Sequence, residues 1–454
     1  MHITNERSNT AVITSLIFLS GIAFLYVVKS PLAIPGMVLF AGIVFFIAFV
    51  NTDAALIILI FSMLLSPEIG IGGVPGREVV IRVDDLLLLV IFFSWISKMA
   101  IHKELGLLRS NPLVRPILAY VFIAVLATLF GALQGHVNIK SAFFYVLKYI
   151  EYFLLFFMVA NNLRDMGQVR KYVFLLLLVC LIVSIYAWYL KLSGFERVAA
   201  PFDISEGEEA NTLGGYLLFM MAIAIGIIVY CRSLNLLMPL LLFLGLIVPP
   251  FLFTLSRGSW LGFFPMLITI VALTKRARLV LVAGLLLIIA LLPVVIPQSV
   301  KQRIDVTFAS GKTYNVLGKD VTIAESGSLR IDKWIRIMHL WTERPFLGYG
   351  VTGLGIVDAQ YPRVLGETGI MGFIAYMWIM AIIFIKGKQT LDRVEEGWAK
   401  GLTLGFLGGF AGLLVQALTA STFIIVRIME PFCFLAAIVI MLPEIGAAPE
   451  GNSV

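Results

Sequence analysis

Residues Leu213–Cys231 read LGGYLLFMMAIAIGIIVYC, and after Arg232-Ser233-Leu234 the stretch Asn235–Leu255 reads NLLMPLLLFLGLIVPPFLFTL. Two apolar runs of this length, with only a turn between them, decide the fold. A span needs about 20 mostly apolar residues, so the pair is a helical hairpin through a bilayer. The pattern repeats in both directions, with runs near 11–28, 33–50, 54–66, 85–99, 113–133, 142–160 and 171–190 before it and 259–274, 278–296, 369–385, 401–419 and 429–443 after it. The reading is fourteen spans, or twelve if the short run 54–66 and the marginal run 85–99 are set aside.

Composition says the same. Of 454 residues 60% are hydrophobic and 13% charged, where a soluble domain is about 45–50% apolar and about a quarter charged. Mean hydropathy is +1.00. An ordinary cytosolic enzyme, a disordered chain and a small disulfide-stapled domain are excluded. The expectation is an all-α polytopic bundle: residues 1–296 as transmembrane helices, 297–368 as one large loop, and 369–454 as further spans with a short tail. The run 11–28 reads as a first span and not as a cleaved signal. Cys180, Cys231 and Cys433 lie in or beside apolar runs and read as small core residues, with no disulfide framework.

The formal net charge is +7. Without a basic stripe on a soluble face it does not suggest nucleic acid. Lys and Arg cluster in alternate short connections: His102-Lys103 with Arg109, Arg164 with Arg170-Lys171, Arg232, Lys275-Arg276 with Arg278, and Lys386 with Lys388. The positive-inside bias places these, and both termini, in the cytoplasm. The longer connections, Pro67–Asp84, Leu192–Thr212 and Pro297–Thr368, then face outward, the second with acidic Glu206, Glu208 and Glu209. In the largest, Leu329–Trp341 has helical periodicity. Ile331, Trp334, Ile335, Met338 and Trp341 form an apolar arc opposite Asp332, Lys333, Arg336 and His339, so the helix lies on the membrane surface or caps the bundle. Gly401, Gly405, Gly408 and Gly412 recur at a spacing that brings helices close together.

Chemical motifs are few. HExxH, GxSxG, DxD and Cys/His ligand clusters are absent from the sequence. Ser310-Gly311-Lys312-Thr313 mimics the end of a P-loop, but Val306 replaces its first glycine. The informative string is Thr254-Leu255-Ser256-Arg257-Gly258-Ser259-Trp260, at the outer junction of two spans. Pro249-Pro250 should interrupt the helix before it. Arg257 then stands where a new helix points its first amides, a receptor for phosphate; the alternative is an arginine snorkelling from a helix end. A second set follows: Ser328-Leu329-Arg330, Trp334, Glu343-Arg344-Pro345-Phe346-Leu347-Gly348-Tyr349-Gly350, Asp358-Ala359-Gln360-Tyr361 and Glu367-Thr368-Gly369-Ile370-Met371-Gly372.

Together with the late Glu430-Pro431-Phe432, these strings resemble the O-antigen ligase and O-antigen polymerase superfamily of bacterial membrane glycosyltransferases, from about Asn211 to Phe434. The first 200 residues resemble it only as a run of spans. The resemblance implies metal-independent, inverting transfer of a glycan from a polyprenyl (undecaprenyl) diphosphate donor to a glycan acceptor. It implies a multi-pass protein of the bacterial inner membrane with a periplasmic site, no cofactor, and polysaccharide-export proteins as candidate partners. Arg257 and Arg330 match arginines that contact the diphosphate; ionised guanidinium groups can replace a divalent ion there. Arg344 and Arg363 are candidates to line the diphosphate or acceptor path, and Lys301 and Arg303 are candidate path or headgroup contacts.

In ligases of this superfamily a histidine stands eleven residues before the first glycine of the Gly-x-x-Gly motif. Here that place is Asp358, which points to the polymerase branch and makes Asp358 the candidate general base. Its other readings are an N-cap or a loop ion pair. Glu367 suits charge at a helix start, and His339 reads as structural. Arg77, Arg82 and Asp85 pair among themselves or approach the site. Polymerisation of a surface polysaccharide is the leading expectation, followed by a ligase acting on a lipid A-core or protein acceptor. A glycan transporter should show paired broken helices in related halves, and no such repeat is visible.

Overall fold

The computed structural model describes residues 33–74, 77–101, 111–201, 210–274, 300–302, 311–316, 319–355, 357–395 and 397–446, with parts of 276–286. The runs 11–28 and most of 278–296, the Glu206–Glu209 stretch and Arg303 lie outside the described residues. In chain order come α1 (Ala33–Val50), α2 (Thr52–Leu65), strands β1 (Glu68–Val74) and β2 (Arg77–Arg82), α3 (Val83–Ile101), α4 (Val114–Leu133), α5 (Ile139–Asn162), α6 (Met166–Leu192), α7 (Ala210–Tyr230), α8 (Leu234–Phe253) and α9 (Arg257–Leu273). Strands β3 (Gly311–Val316) and β4 (Lys319–Ala324) follow, then α10 (Glu325–Glu343), α11 (Gln360–Arg393), α12 (Trp398–Gln416) and α13 (Val426–Gly446). Among the described residues eight helices, α4–α8 and α11–α13, are long and apolar enough to cross a membrane. Shorter α9 and α2 are also apolar, and α3 carries Asp84, Asp85 and Lys98.

The starts of α2, α5, α6 and α9 are set by short polar side chains. Asn138 accepts the Ser141 N–H at 3.2 Å, and Asp165 that of Gln168 at 2.8 Å, each worth about 1 kcal/mol. The connections read as facing one way do meet at one end: Val198 N–H donates to Phe253 O at 3.3 Å, and Gln360 N–H to Ala417 O at 3.0 Å. At the other end Asp53 takes the Tyr172 hydroxyl at 2.6 Å and pairs with Lys171.

The bundle is built around α7 and α13, whose spans are each 89% buried, against 28% for α8. α12 closes on α7 and α9 through its glycines. A Cβ added at Gly405 would press on Ala222 O, and one at Gly412 on Gly262 O. The small-residue stripe is therefore a packing seam.

Two expectations need correction, and of two readings left open for a third only one stands. Pro249-Pro250 do not end their helix, which runs to Phe253. Pro250 has no N–H for Leu246 O, and the Trp188 indole N–H takes that carbonyl at 2.9 Å, so the backbone continues at little cost. The break falls at Leu255, with φ 51°. Second, two of the longer connections hold antiparallel hairpins as well as helix. β1 pairs with β2 from Glu68↔Arg82 to Val74↔Arg77, and β3 with β4 from Gly311↔Ala324 to Val316↔Lys319. Each has two residues between its strands, Pro75-Gly76 and Leu317-Gly318, a hairpin signal. Lys312 and Thr313 thus lie in a strand and not at a helix N-terminus, which removes the P-loop geometry. Third, α10 is anchored by Ile337, 4% exposed, a residue outside the expected apolar arc. Ile335 and Met338 of that arc stay exposed, and Ile331, Trp334 and Trp341 half-buried. The arc is not what caps the bundle.

Candidate functional site

The Ser-Arg-Gly turn is fixed from below. Ser256 caps α9, accepting the Ser259 N–H at 3.4 Å, and its Oγ lies 2.8 Å from Ser259 Oγ. Gln416, at the end of α12, donates from Nε2 to Ser259 Oγ at 2.9 Å and to Asn211 O at 3.0 Å. Gly258 is obligatory, since a Cβ there would meet Thr419 Oγ1. Ser256 and Ser259 are buried, while Arg257, the first residue of α9, is half-buried. The arginine is carried on a rigid turn at one end of the core.

The same connection after α12 holds the start of α11. Gln360 N–H donates to Ala417 O at 3.0 Å, Ser421 Oγ to Val357 O at 2.7 Å, and Phe423 N–H to Gln360 Oε1 at 3.1 Å. Residues 416–424 are therefore the shared floor under two strings far apart in sequence, Ser256–Ser259 and Val357–Gln360.

The third string, Glu343–Gly350, lies against α11. Gly369 has φ 63° and divides that helix, which frees carbonyls just before it. Tyr349 N–H donates to Gly366 O at 2.9 Å and Gly350 N–H to Glu367 O at 2.8 Å, while Ile370 N–H reaches Pro345 O at 2.8 Å. Gly348 (φ 65°) has no room for a Cβ against Gly366 O. The Gly-Tyr-Gly turn and the Gly-x-x-Gly helix start are thus one interlocked piece.

The expected site residues are placed differently from one another. Arg344 stacks over the Tyr349 ring at 4.7 Å and bonds Gln134 at the end of α4. Tyr349 donates its hydroxyl to Glu343 Oε2 at 2.6 Å; burial and this carboxylate push the phenol pKa up, so it remains a neutral donor. Arg330 is half-buried on α10. Asp358 is not an N-cap: α11 starts after Ala359 with no side-chain cap. The loop ion pair is what the structure has, Asp358 Oδ2 to Lys333 Nζ at 2.8 Å, both about half exposed. Arg363 is 3% exposed; it bonds Glu367 Oε1 at 3.2 Å and lies 5.2 Å over the Tyr145 ring. Lys301 is exposed, as is His339 on the polar face of α10. The Arg82 side chain pairs with Asp84 and that of Asp85 with Lys148, beside Glu430.

Sequence reasoning missed Thr352, Gln416 and the partner role of Lys333. Thr352 is a non-glycine residue at φ 70°, its N–H on Glu367 Oε1 at 3.1 Å, and its buried hydroxyl has no partner among the described residues. Strain with an unsatisfied polar atom is a mark of functional loops, and nothing in the sequence signals it. Gln416 had a signal, a polar amide ending an apolar run.

Arg257, Arg330, Arg344 and Asp358 thus lie on the strings that carried the resemblance, and Lys333 joins them through its pair with Asp358. Residues 240–377 match the O-Antigen ligase family model. The match runs from within α8, through the Ser-Arg-Gly turn and the large loop, into the membrane part of α11. It supports the O-antigen ligase and polymerase superfamily for this stretch, and leaves the first 239 residues and the Glu430-Pro431-Phe432 string outside it. No curated protein matches the chain significantly.

Proposed function

We propose that the chain is an inverting membrane glycosyltransferase that polymerises a surface polysaccharide from polyprenyl (undecaprenyl) diphosphate-linked glycan units at the outer face of the bacterial inner membrane. The observation that carries the reading is that two strings far apart in sequence, Ser256–Ser259 with Arg257 and Val357–Gln360 with Asp358, are both held by residues 416–424. In the proposed step the acceptor hydroxyl oxygen attacks the anomeric carbon. The bond to the lipid diphosphate breaks with its electron pair going to the phosphate oxygen, and the hydroxyl proton goes to Asp358. Arg257 and Arg330 stabilise the departing diphosphate, with Arg344 along its path. Arg363, locked to Glu367, acts by shaping the Gly-Tyr-Gly turn. No metal is needed where guanidinium groups carry the leaving-group charge.

The second reading, a ligase delivering a finished glycan to a lipid or protein acceptor, is favoured by the description of the matched family model. Asp358, in place of the ligase histidine, favours polymerisation. Purified protein in proteoliposomes, given a labelled lipid-diphosphate glycan, decides between them. A ladder of lengthening products supports polymerisation, and a single transfer to a non-repeat acceptor supports ligation. Activity should survive EDTA; metal-reversible loss would point to a carboxylate-bound ion. Translocation of label without a new glycosidic bond would overturn both readings in favour of a transporter.

A further inference from the structure

Apart from the residues given a role above, the described residues hold a second charged assembly, sealed inside the bundle. Asp84 (0% exposed) stands at the start of α3, and Glu430 (1% exposed) near the start of α13. One carboxylate oxygen from each of Asp84, Asp85 and Glu430 lies within 4.8 Å of the others. Two of the acids have cations in place: Arg82 Nε on Asp84 Oδ1 at 3.1 Å and Lys148 Nζ on Asp85 Oδ2 at 2.9 Å. Ser66 Oγ also donates to Asp84 Oδ1 at 2.7 Å, and Arg82 N–H to Asp85 Oδ2 at 3.0 Å. Asp84 Oδ2 and Glu430 Oε2 are different. Both are buried acceptors with no donor.

Every charged group packed around them among the described residues enters the count. α5 contributes Lys148 and Glu151, the latter facing Asp85; its Tyr152 donates to Ile424 O at 2.8 Å. α13 contributes Arg427, buried one turn before Glu430. Asp84, Asp85, Glu151 and Glu430 oppose Arg82, Lys148 and Arg427, so full ionisation leaves one negative charge in excess. An uncompensated buried charge costs several kcal/mol, and two ionised carboxylates side by side cannot both persist cheaply. A divalent cation would meet Arg82 and Lys148 already on its donor atoms. A proton supplies the one thing missing, a donor.

We propose that Asp84 and Glu430 bind one proton between them, closing a carboxyl–carboxylate hydrogen bond that latches α13 to α3. The latch joins two parts of the chain that both lie outside the family match. It sits directly under residues 416–424, because α13 follows that connection and Tyr152 ties Ile424 to the same α5. Loss of the proton sets two like charges against each other beneath the site floor.

The test needs no substrate. Infrared spectra of the purified full chain, titrated from pH 5 upward, should show a protonated-carboxyl C=O band that is lost on the alkaline side. In Glu430→Gln, whose amide N–H can donate to Asp84 Oδ2, that band is missing. The sign for stability follows from linkage. The folded protein keeps a proton that an unfolded glutamate releases near its reference pKa of about 4.3. Folding is therefore strengthened at low pH, and its constant falls about tenfold per pH unit from there until the latch itself titrates. Thermal unfolding against pH should show this extra slope in the wild type and its loss in Glu430→Gln. A wild-type spectrum at neutral pH without the band overturns the proposal, as does stabilisation by added Na⁺ or Ca²⁺ that Glu430→Gln abolishes. If Glu430→Gln fails to fold, the wild-type infrared titration alone still decides.

Discussion

Two charged assemblies sit at the same end of this bundle, and they differ in access to water. Around Asp84 and Glu430 the charges are sealed, saturated with each other and short of only a proton. Around Asp358 they are open: Lys333 and Asp358 are about half exposed, and Arg257, Arg330 and Arg344 are half-buried. Sealed ions are bound into the fold, since breaking one partner leaves a buried charge unpaired. Open ones can exchange their partner for a substrate group at low cost. Arg363 and Glu367 belong by sequence to the open set and by burial to the sealed set, so they are where the contrast is most easily broken.

The largest effect should follow Glu367→Ala. It strands Arg363 and releases the Thr352 N–H, so unfolding in detergent should show a loss of about 3–5 kcal/mol. An unchanged melting temperature would move the pair into the open set. Next, Arg257→Ala and Arg330→Ala should each lower turnover in proteoliposomes about 10²–10³-fold with melting temperature unchanged. If either melts early with turnover per folded molecule intact, that arginine is structural. Asp358→Asn should slow the chemical step about 10²-fold while donor affinity, measured by titration of the lipid-linked glycan, stays near wild type. A collapse of donor affinity instead would make Asp358 an organiser of the arginines. Lys333→Ala is the mildest case: an exposed pair is worth about 0–1 kcal/mol, so stability should barely move. Its turnover should change more than its stability, because the carboxylate it holds is the proposed base.

Much of this fold is legible in apolar run length. Runs such as 113–133 and 213–231 became helices within a few residues of their expected bounds, because in lipid the backbone has little alternative to a helix. Alternation of Lys-rich connections likewise groups the helix ends as the contacts Asp53–Lys171 and Gln360–Ala417 do. What run length does not carry is the satisfaction of single carbonyls. Pro249-Pro250 read as a break because nothing nearby in sequence announces that Trp188, a helix and a half away, will take up Leu246 O. The hairpins escaped notice because their turn signals lie inside connections judged by charge. At the site, the order of the motifs could be read directly, but not the exchange of hydrogen bonds between Tyr349–Gly350 and Gly366–Glu367, which needs the left-handed Gly369. Nor could burial of Arg363 be read, since Glu367 at i+4 is equally consistent with a solvated pair.

The glycine seam between α7 and α12 has a consequence for how the chain is made. Gly226 and Gly405 touch backbone to backbone, yet ~180 residues separate them, on the order of 10–40 s of synthesis at ~5–20 residues per second. Through that interval α7 stands in the bilayer with its groove open to lipid. The central joint of the bundle therefore closes late, by expulsion of lipid as α12 arrives, and a nascent chain arrested before Gly405 presents an unfinished face to the cell's membrane proteases.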